Sequence, residues 1–199
     1  MLDQNKLKDG LIDALKKGEE TQAVSGGEEG EMEAKYSDSD VAGFMADAIV
    51  DYASDAVIGP LAGIMIPAAP SPLPSSANGQ MPAVQTADLG KEPLKAAILA
   101  GFKAMDAPLA MMSAGIVAYT AASFVMMQAG PANCPGAAVM AVPPVLSAVN
   151  LAVQNSEGAL EDWCDMAAAA IHVSFKATIF TGACTASDGG LGPAIGPLQ

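Results

Sequence analysis

The sequence contains no arginine, and His172 is its only histidine. Nucleic-acid-binding proteins gain most of their affinity from basic contacts to phosphate, often through the arginine guanidinium. Here nine lysines stand against 22 acidic residues, which gives a net charge of −13 at pH 7. We therefore expect no direct nucleic-acid partner, and one histidine excludes a metal site that needs several histidine ligands.

Aromatic residues are also scarce, at 5% of the chain, although 51% of the residues are hydrophobic. Alanine, glycine, methionine and proline are prominent in the composition. Small side chains bury little area each, but they let helices approach closely, and methionine fills irregular gaps. This composition predicts a protein whose core is completed by neighbouring polypeptides.

The three cysteines, Cys134, Cys164 and Cys184, are odd in number and widely spaced. This pattern is typical of free thiols in a reducing compartment. The N-terminus is a charged helix pattern without the apolar stretch of a secretory signal, so we expect no such signal.

Hydrophobic periodicity predicts a mainly α fold, in which amphipathic helices are joined by long Pro/Gly-rich extended loops, with little or no sheet. The predicted organisation has three parts: an N-terminal acidic helix and flexible linker (1–36), a helical body (37–182) with a Pro-rich insert (60–90), and a Gly/Pro-rich extended tail (183–199). Helices are expected over about 2–17, from Ser37 to Gly59, from Pro93 to Pro108, over 109–127 and 145–154, and from about Ser156 to Phe180.

The helix after Ser37 has the strongest start signal. Ser37 and Asp40 can cap its N-terminus, because serine and aspartate side chains accept hydrogen bonds from the first free N–H groups. Asp47, Asp51 and Asp55 then follow at four-residue spacing. This row could gather a divalent cation, pair with lysines of a neighbouring subunit, or form a solvated helix face.

Between Asp106 and Glu157 there is no charged residue. Residues 107–127 are long enough to cross a bilayer, so the alternative function is a small membrane-inserted protein with a span at 107–127. However, alanine, serine, glycine and threonine give a weak drive for insertion, and no cluster of basic residues flanks the segment. The sequence therefore favours a buried central helix in an assembly, and a membrane is not expected as a partner.

The sequence contains no recognisable catalytic constellation. No glycine-rich phosphate loop followed by lysine and no Gly-x-Ser-x-Gly motif occurs. His172 shares a predicted outward face with Asp165 and Lys176, which favours a surface histidine over a catalytic one. We therefore expect no catalytic residue, no metal or other cofactor and no small-molecule substrate.

Three segments carry a family resemblance: LDQNKLKDGLIDAL (2–15), ADAIVDYASDAVI (46–58) and AAAAIHVSFKATIFTGACTASDGGLGPAIG (167–196). Together they resemble small virion structural proteins of tailed bacteriophages, especially contractile-tailed ones. The resemblance implies a neck, collar, tail or baseplate component without catalytic residues. It also implies assembly in the host cytoplasm into the virion, with copies of itself and other virion structural proteins as partners.

Larger apolar residues on the predicted helices are the candidates for an interface between subunits. The alternative is that they are plain core residues of the chain itself. These candidates are Phe44, Ile49, Tyr52, Trp163, Ile171 and Phe175.

Overall fold

The computed structural model of the chain describes residues 2–23, 32–58, 81–82, 90–103, 108–122, 124–129, 132–146, 159–185 and 191–197. Some sequence predictions lie outside these ranges. They include residues 24–31 of the flexible linker, most of the Pro-rich insert 60–90, the part of the 145–154 helix beyond Leu146, and residues 186–190 and 198–199 of the tail.

The described chain is mainly helical, which confirms the predicted fold class. Its helices are α1 (Gln4–Gly18), α2 (Asp38–Ser54), α3 (Lys91–Lys103), α4 (Pro108–Ala122) and α5 (Ala159–Lys176). The first three agree with the apolar periodicity of the sequence. In α1, Leu7 and Leu11 are fully buried, as expected for the inner stripe of an amphipathic helix.

The start of α2 is a capping box, as its sequence predicts. The Asp40 backbone N–H donates to the Ser37 hydroxyl, and the Ser37 N–H donates to the Asp40 carboxylate at 2.9 Å. Hydrogen bonds from the Ser37 side chain and backbone lower the pKa of Asp40. Local chemistry alone therefore fixes where this helix begins. Helix α2 ends at Ser54 and not at the predicted Gly59, and residues Val57–Ile58 form a strand.

Two further predicted helices also end earlier than expected. The helix predicted over 109–127 ends at Ala122, and residues Phe124–Ala129 form a strand instead. The helix predicted to reach Phe180 ends at Lys176, and a strand begins at Thr178. In both places the backbone joins an antiparallel ladder, and cross-strand pairing overrides the helical periodicity of the sequence.

Strands make up a smaller part of the described chain. They are β1 (Thr21–Ala23), β2 (Met32–Ala34), β3 (Val57–Ile58), β4 (Met81–Pro82), β5 (Phe124–Ala129), β6 (Ala132–Met140), β7 (Thr178–Thr185) and β8 (Leu191–Pro197). The last four form one antiparallel sheet in the order β5-β6-β7-β8. Helix α5 connects β6 to β7, and the predicted extended tail supplies β8.

The segment predicted as a flexible linker contains a short hairpin. Strands β1 and β2 pair antiparallel, with Gln22 opposite Glu33, and the Gln22 amide donates to the Glu33 carboxylate at 3.1 Å. Lys35 closes the base of the hairpin through an ion pair with Glu20 at 2.7 Å. Residues 21–23 and 32–34 of this segment are thus paired backbone, because cross-strand contacts compensate for a polar composition.

Helix α1 packs against both α2 and α5. Its lysines extend this contact: Lys8 pairs with Asp165 of α5 at 3.1 Å, and Lys16 pairs with Glu161 of α5 at 3.3 Å. Lys6 forms an ion pair with Asp55, just beyond α2. Each exposed pair contributes little by itself, so the buried leucines of α1 carry most of this packing.

Candidate interaction surface

Helix α4 is fixed to the rest of the molecule along one side. Met112, Ile116 and Tyr119 are almost fully buried on that side. Gly115 lies so close to α3 that a Cβ atom added there would be 2.5 Å from the Cβ of Ala97. The glycine therefore sets the distance between α3 and α4, because a larger residue would force the two helices apart.

The opposite side of α4 is open. Its exposed residues are uncharged and mostly small: Ala110, Met111, Ala114, Ala118, Ala121 and Ala122. The sequence favours a central helix that is buried in an assembly; within the single chain, one side of α4 is uncovered. A helix that is apolar on every side but covered on only one leaves an apolar face for another surface.

A groove of about 700 Å³ runs beside this face, between α4 and the segment that follows β6. It is lined by Ala110, Ser113, Ala114, Val117, Ala118, Ala121, Pro143, Pro144 and Val145, all of them uncharged. The Ser113 hydroxyl donates to the Pro144 carbonyl and so ties the two walls together. We call this feature the α4 groove.

Exposed valine and methionine side chains border the α4 groove. Val145 is 61% exposed, Val142 is 48% exposed and Met111 is 42% exposed. Single exposed apolar residues are ordinary on protein surfaces. Val145 lines the α4 groove, and Val142 and Met111 are next in sequence to its lining residues Pro143 and Ala110. A concentration of exposed apolar side chains near one groove is typical of a protein interaction site.

A second apolar surface lies on the sheet. Val139 of β6 is directly opposite Ile179 of β7, and the two side chains are 53% and 43% exposed. On α5, Met166 and Val173 are also exposed. These residues show that the uncovered apolar surface of the chain is not confined to α4.

An apolar cavity of about 150 Å³ lies where the five helices meet. It is lined by Leu15, Met45, Ile98, Gly101, Phe102, Met112 and Trp163. Every helix contributes at least one of these residues. The cavity agrees with a core that has few aromatic side chains to fill the space between helices.

The predicted interface residues separate into two groups. Ile49, Tyr52, Ile171 and Phe175 are buried in the core of the chain itself, which agrees with the alternative interpretation of these four. Phe44 and Trp163 are only partly buried and pack against the edge of that core. The Phe44 ring also lies under the ammonium group of Lys17, 4.4 Å from its centre.

The α4 groove contains none of the predicted interface residues. The signal that could have identified it is the run without charge between Asp106 and Glu157. That run predicts an apolar surface but has no helical periodicity, so the sequence does not show which side of the helix faces outward.

The acidic row on α2 has partners within the same chain. Asp47 forms an ion pair with Lys91 at the start of α3, and Asp55 forms one with Lys6 of α1. Pairing with lysines of a neighbouring subunit is therefore not needed to neutralise these two carboxylates. Among the described residues, no group of three or more His, Cys, Asp and Glu side chains could hold a metal ion.

The only histidine is partly buried, whereas the sequence predicts an exposed helix face for it. The Nδ1 atom of His172 lies 2.8 Å from the hydroxyl of Tyr52, a buried residue of α2. Burial lowers the pKa of His172, Lys176 lowers it further, and Asp3 opposes these effects. Burial also raises the pKa of the Tyr52 hydroxyl. The pair therefore joins α2 to α5 in its neutral form.

Cys164 is buried on α5. Burial, together with the nearby carboxylate of Glu161, raises the pKa of its thiol to about 11. Because the thiolate is the reactive form of cysteine, this side chain is an inert core residue near neutral pH.

Within the described parts of the chain, no helix combines the length and the apolar character that crossing a membrane requires. Comparison of the chain with protein-family models, with curated proteins and with solved structures gives no match.

Proposed function

We propose that this chain is a non-enzymatic structural subunit that assembles in several copies. The observation that carries the proposal is the open side of α4, where an uncharged helix face and the α4 groove remain uncovered. Burial of apolar surface is the main driving force of protein association. A chain that leaves such a surface open gains stability when another polypeptide covers it.

The composition supports the same proposal. The core contains few aromatic residues, and the meeting point of the five helices retains a cavity. The free energy available from burial within one chain is correspondingly small. Contacts between subunits add buried apolar area that the single chain does not provide.

The setting that we propose is a phage-type virion, in its neck, collar, tail or baseplate region. This part of the proposal rests on the sequence resemblance to small virion structural proteins. Copies of the chain and other virion structural proteins would then be its partners. Most oligomers are symmetric, so one contact surface would be repeated around the assembly.

Sedimentation equilibrium of the purified chain over a range of concentrations tests the proposal. We expect a mass that is a multiple of the 19.9 kDa chain and that increases with concentration. A single species of 19.9 kDa at every concentration would contradict it.

A further inference from the structure

The cavity of about 150 Å³ where the five helices meet extends from the core toward the surface. Three of its lining residues, Met45, Ile98 and Met112, are almost fully buried. Two others, Leu15 and Trp163, are only partly buried. A molecule from solution can therefore enter past the partly buried residues and reach the buried ones.

Water gains little inside this cavity. A water molecule in a protein interior needs about two to four polar partners, and the lining offers almost no polar surface. Atoms that line an empty space also lack dispersion contacts on that side, and an apolar molecule restores them. In other proteins, apolar cavities of about 150 Å³ stay dry and bind benzene.

The lining residues favour an aromatic ring. The thioethers of Met45 and Met112 make favourable contacts with ring edges, and their unbranched side chains adapt to the shape of a ligand. Phe102 and Trp163 add aromatic surfaces for stacked or edge-to-face contacts. None of the described residues that line the cavity is charged, so a charged ligand would lose its hydration without compensation.

We propose that this cavity is a binding site for a small uncharged aromatic molecule, of the size of one benzene ring. The described lining contains no acidic, basic or nucleophilic side chain, so the ligand is bound and not chemically changed. The cavity and the α4 groove share no lining residue. The inference is thus independent of the proposed function, and either can fail without the other.

NMR of the methionine methyl groups, with benzene as the probe, tests the inference on the full chain. The ring current of a bound aromatic molecule shifts only nearby resonances, so we expect those of Met45 and Met112 to shift and to reach saturation. Met111 is the matched control, because it is next to Met112 on α4 but is exposed and does not line the cavity. Benzoate, which is the same ring with a negative charge, should shift none of the three. Shifts that do not saturate, or that are equal at Met111 and Met112, would overturn the inference.

A larger side chain in the cavity wall gives a second test. Leu15→Phe takes up part of the space, so we expect at least ~10-fold weaker binding of benzene, because the ligand and the new ring then compete for one volume. Ile12→Phe is the matched control, because Ile12 is also a partly buried aliphatic residue of α1 but does not line the cavity. It should bind benzene like the unmodified chain. Equal affinity of the two variants, with circular dichroism showing both folded, would overturn the inference. If Leu15→Phe does not fold, the methionine shifts of the unmodified chain decide it.

Discussion

At the scale of single residues, His172 shows how packing changes the role of a side chain. The sequence places it on the polar side of α5, next to acidic and basic neighbours. In the structure it lies against α2 and makes a hydrogen bond with the buried Tyr52 hydroxyl. This partly buried contact helps to fix the relative position of the two helices, because leaving the Tyr52 hydroxyl unpaired would cost free energy.

This arrangement predicts a histidine that resists protonation. NMR titration of the imidazole, which gives one unambiguous signal in this chain, should yield a pKa below the ordinary value of about 6.5. Lys176→Gln removes a positive charge that lowers the pKa, so the variant should titrate at a higher pH than the unmodified chain. A pKa at or above the ordinary value would contradict the burial of this side chain.

The same shift predicts how stability depends on pH. Because the folded pKa is lowered, the unfolded chain binds the proton more readily, and the stability contributed by neutral His172 is lost as pH falls. The difference in unfolding free energy between the unmodified chain and His172→Gln should be largest above about pH 6.5. It should shrink as the pH falls through the folded pKa. A difference that grows on acidification would contradict the direction of the shift.

At the scale of elements, the close contact between α3 and α4 depends on Gly115. Gly115→Ala should lower the free energy of unfolding, because overpacking costs about 1–3 kcal/mol and the gain in helix propensity is about 1 kcal/mol. Gly43→Ala is the control, since a Cβ atom there would meet only the Lys95 side chain at 3.6 Å. That variant should be neutral or more stable by about 0.5–1 kcal/mol. Equal effects of the two substitutions in chemical denaturation would contradict the close approach of α3 and α4.

The elements also show how far the sequence determines the fold. The start and the inner face of α2 were predictable because their signals are local: the Ser37 cap and the apolar period. The end of α4 was not predictable, because nothing in the uncharged run from Leu109 to Met127 marks a helix end, although β5 pairs with β6, its neighbour in sequence. The end of α5 was not predictable because β7 pairs with β6, which is distant from it in sequence. Such pairing depends on non-local contacts, whereas helical periodicity depends only on neighbours.

The candidate site was predictable only in part. The absence of charge after Asp106 indicated an apolar surface that another polypeptide would cover. The predicted interface residues are large and recur at helical spacing, and the same pattern marks core residues. Two of them, Ile49 and Ile171, are fully buried core residues. The residues that do line the α4 groove are mostly alanines and prolines, which give no periodic signal.

At the scale of the whole molecule, two opposing properties set the behaviour of the chain. The large negative charge opposes association between copies, whereas the uncovered apolar side of α4 would favour it in the proposed assembly. Attraction through apolar contact depends only weakly on salt, whereas repulsion between acidic surfaces is screened by it. The balance between the two is therefore adjustable by ionic strength.

The salt dependence of association is the most direct test of this account. Sedimentation equilibrium between about 0.1 M and about 1 M sodium chloride covers a fall in the Debye length from about 10 Å to about 3 Å. We expect the dissociation constant between copies to decrease as salt increases, because repulsion is screened while the apolar contact remains. Association that weakens with salt would indicate a contact held by ion pairs, and would contradict the account.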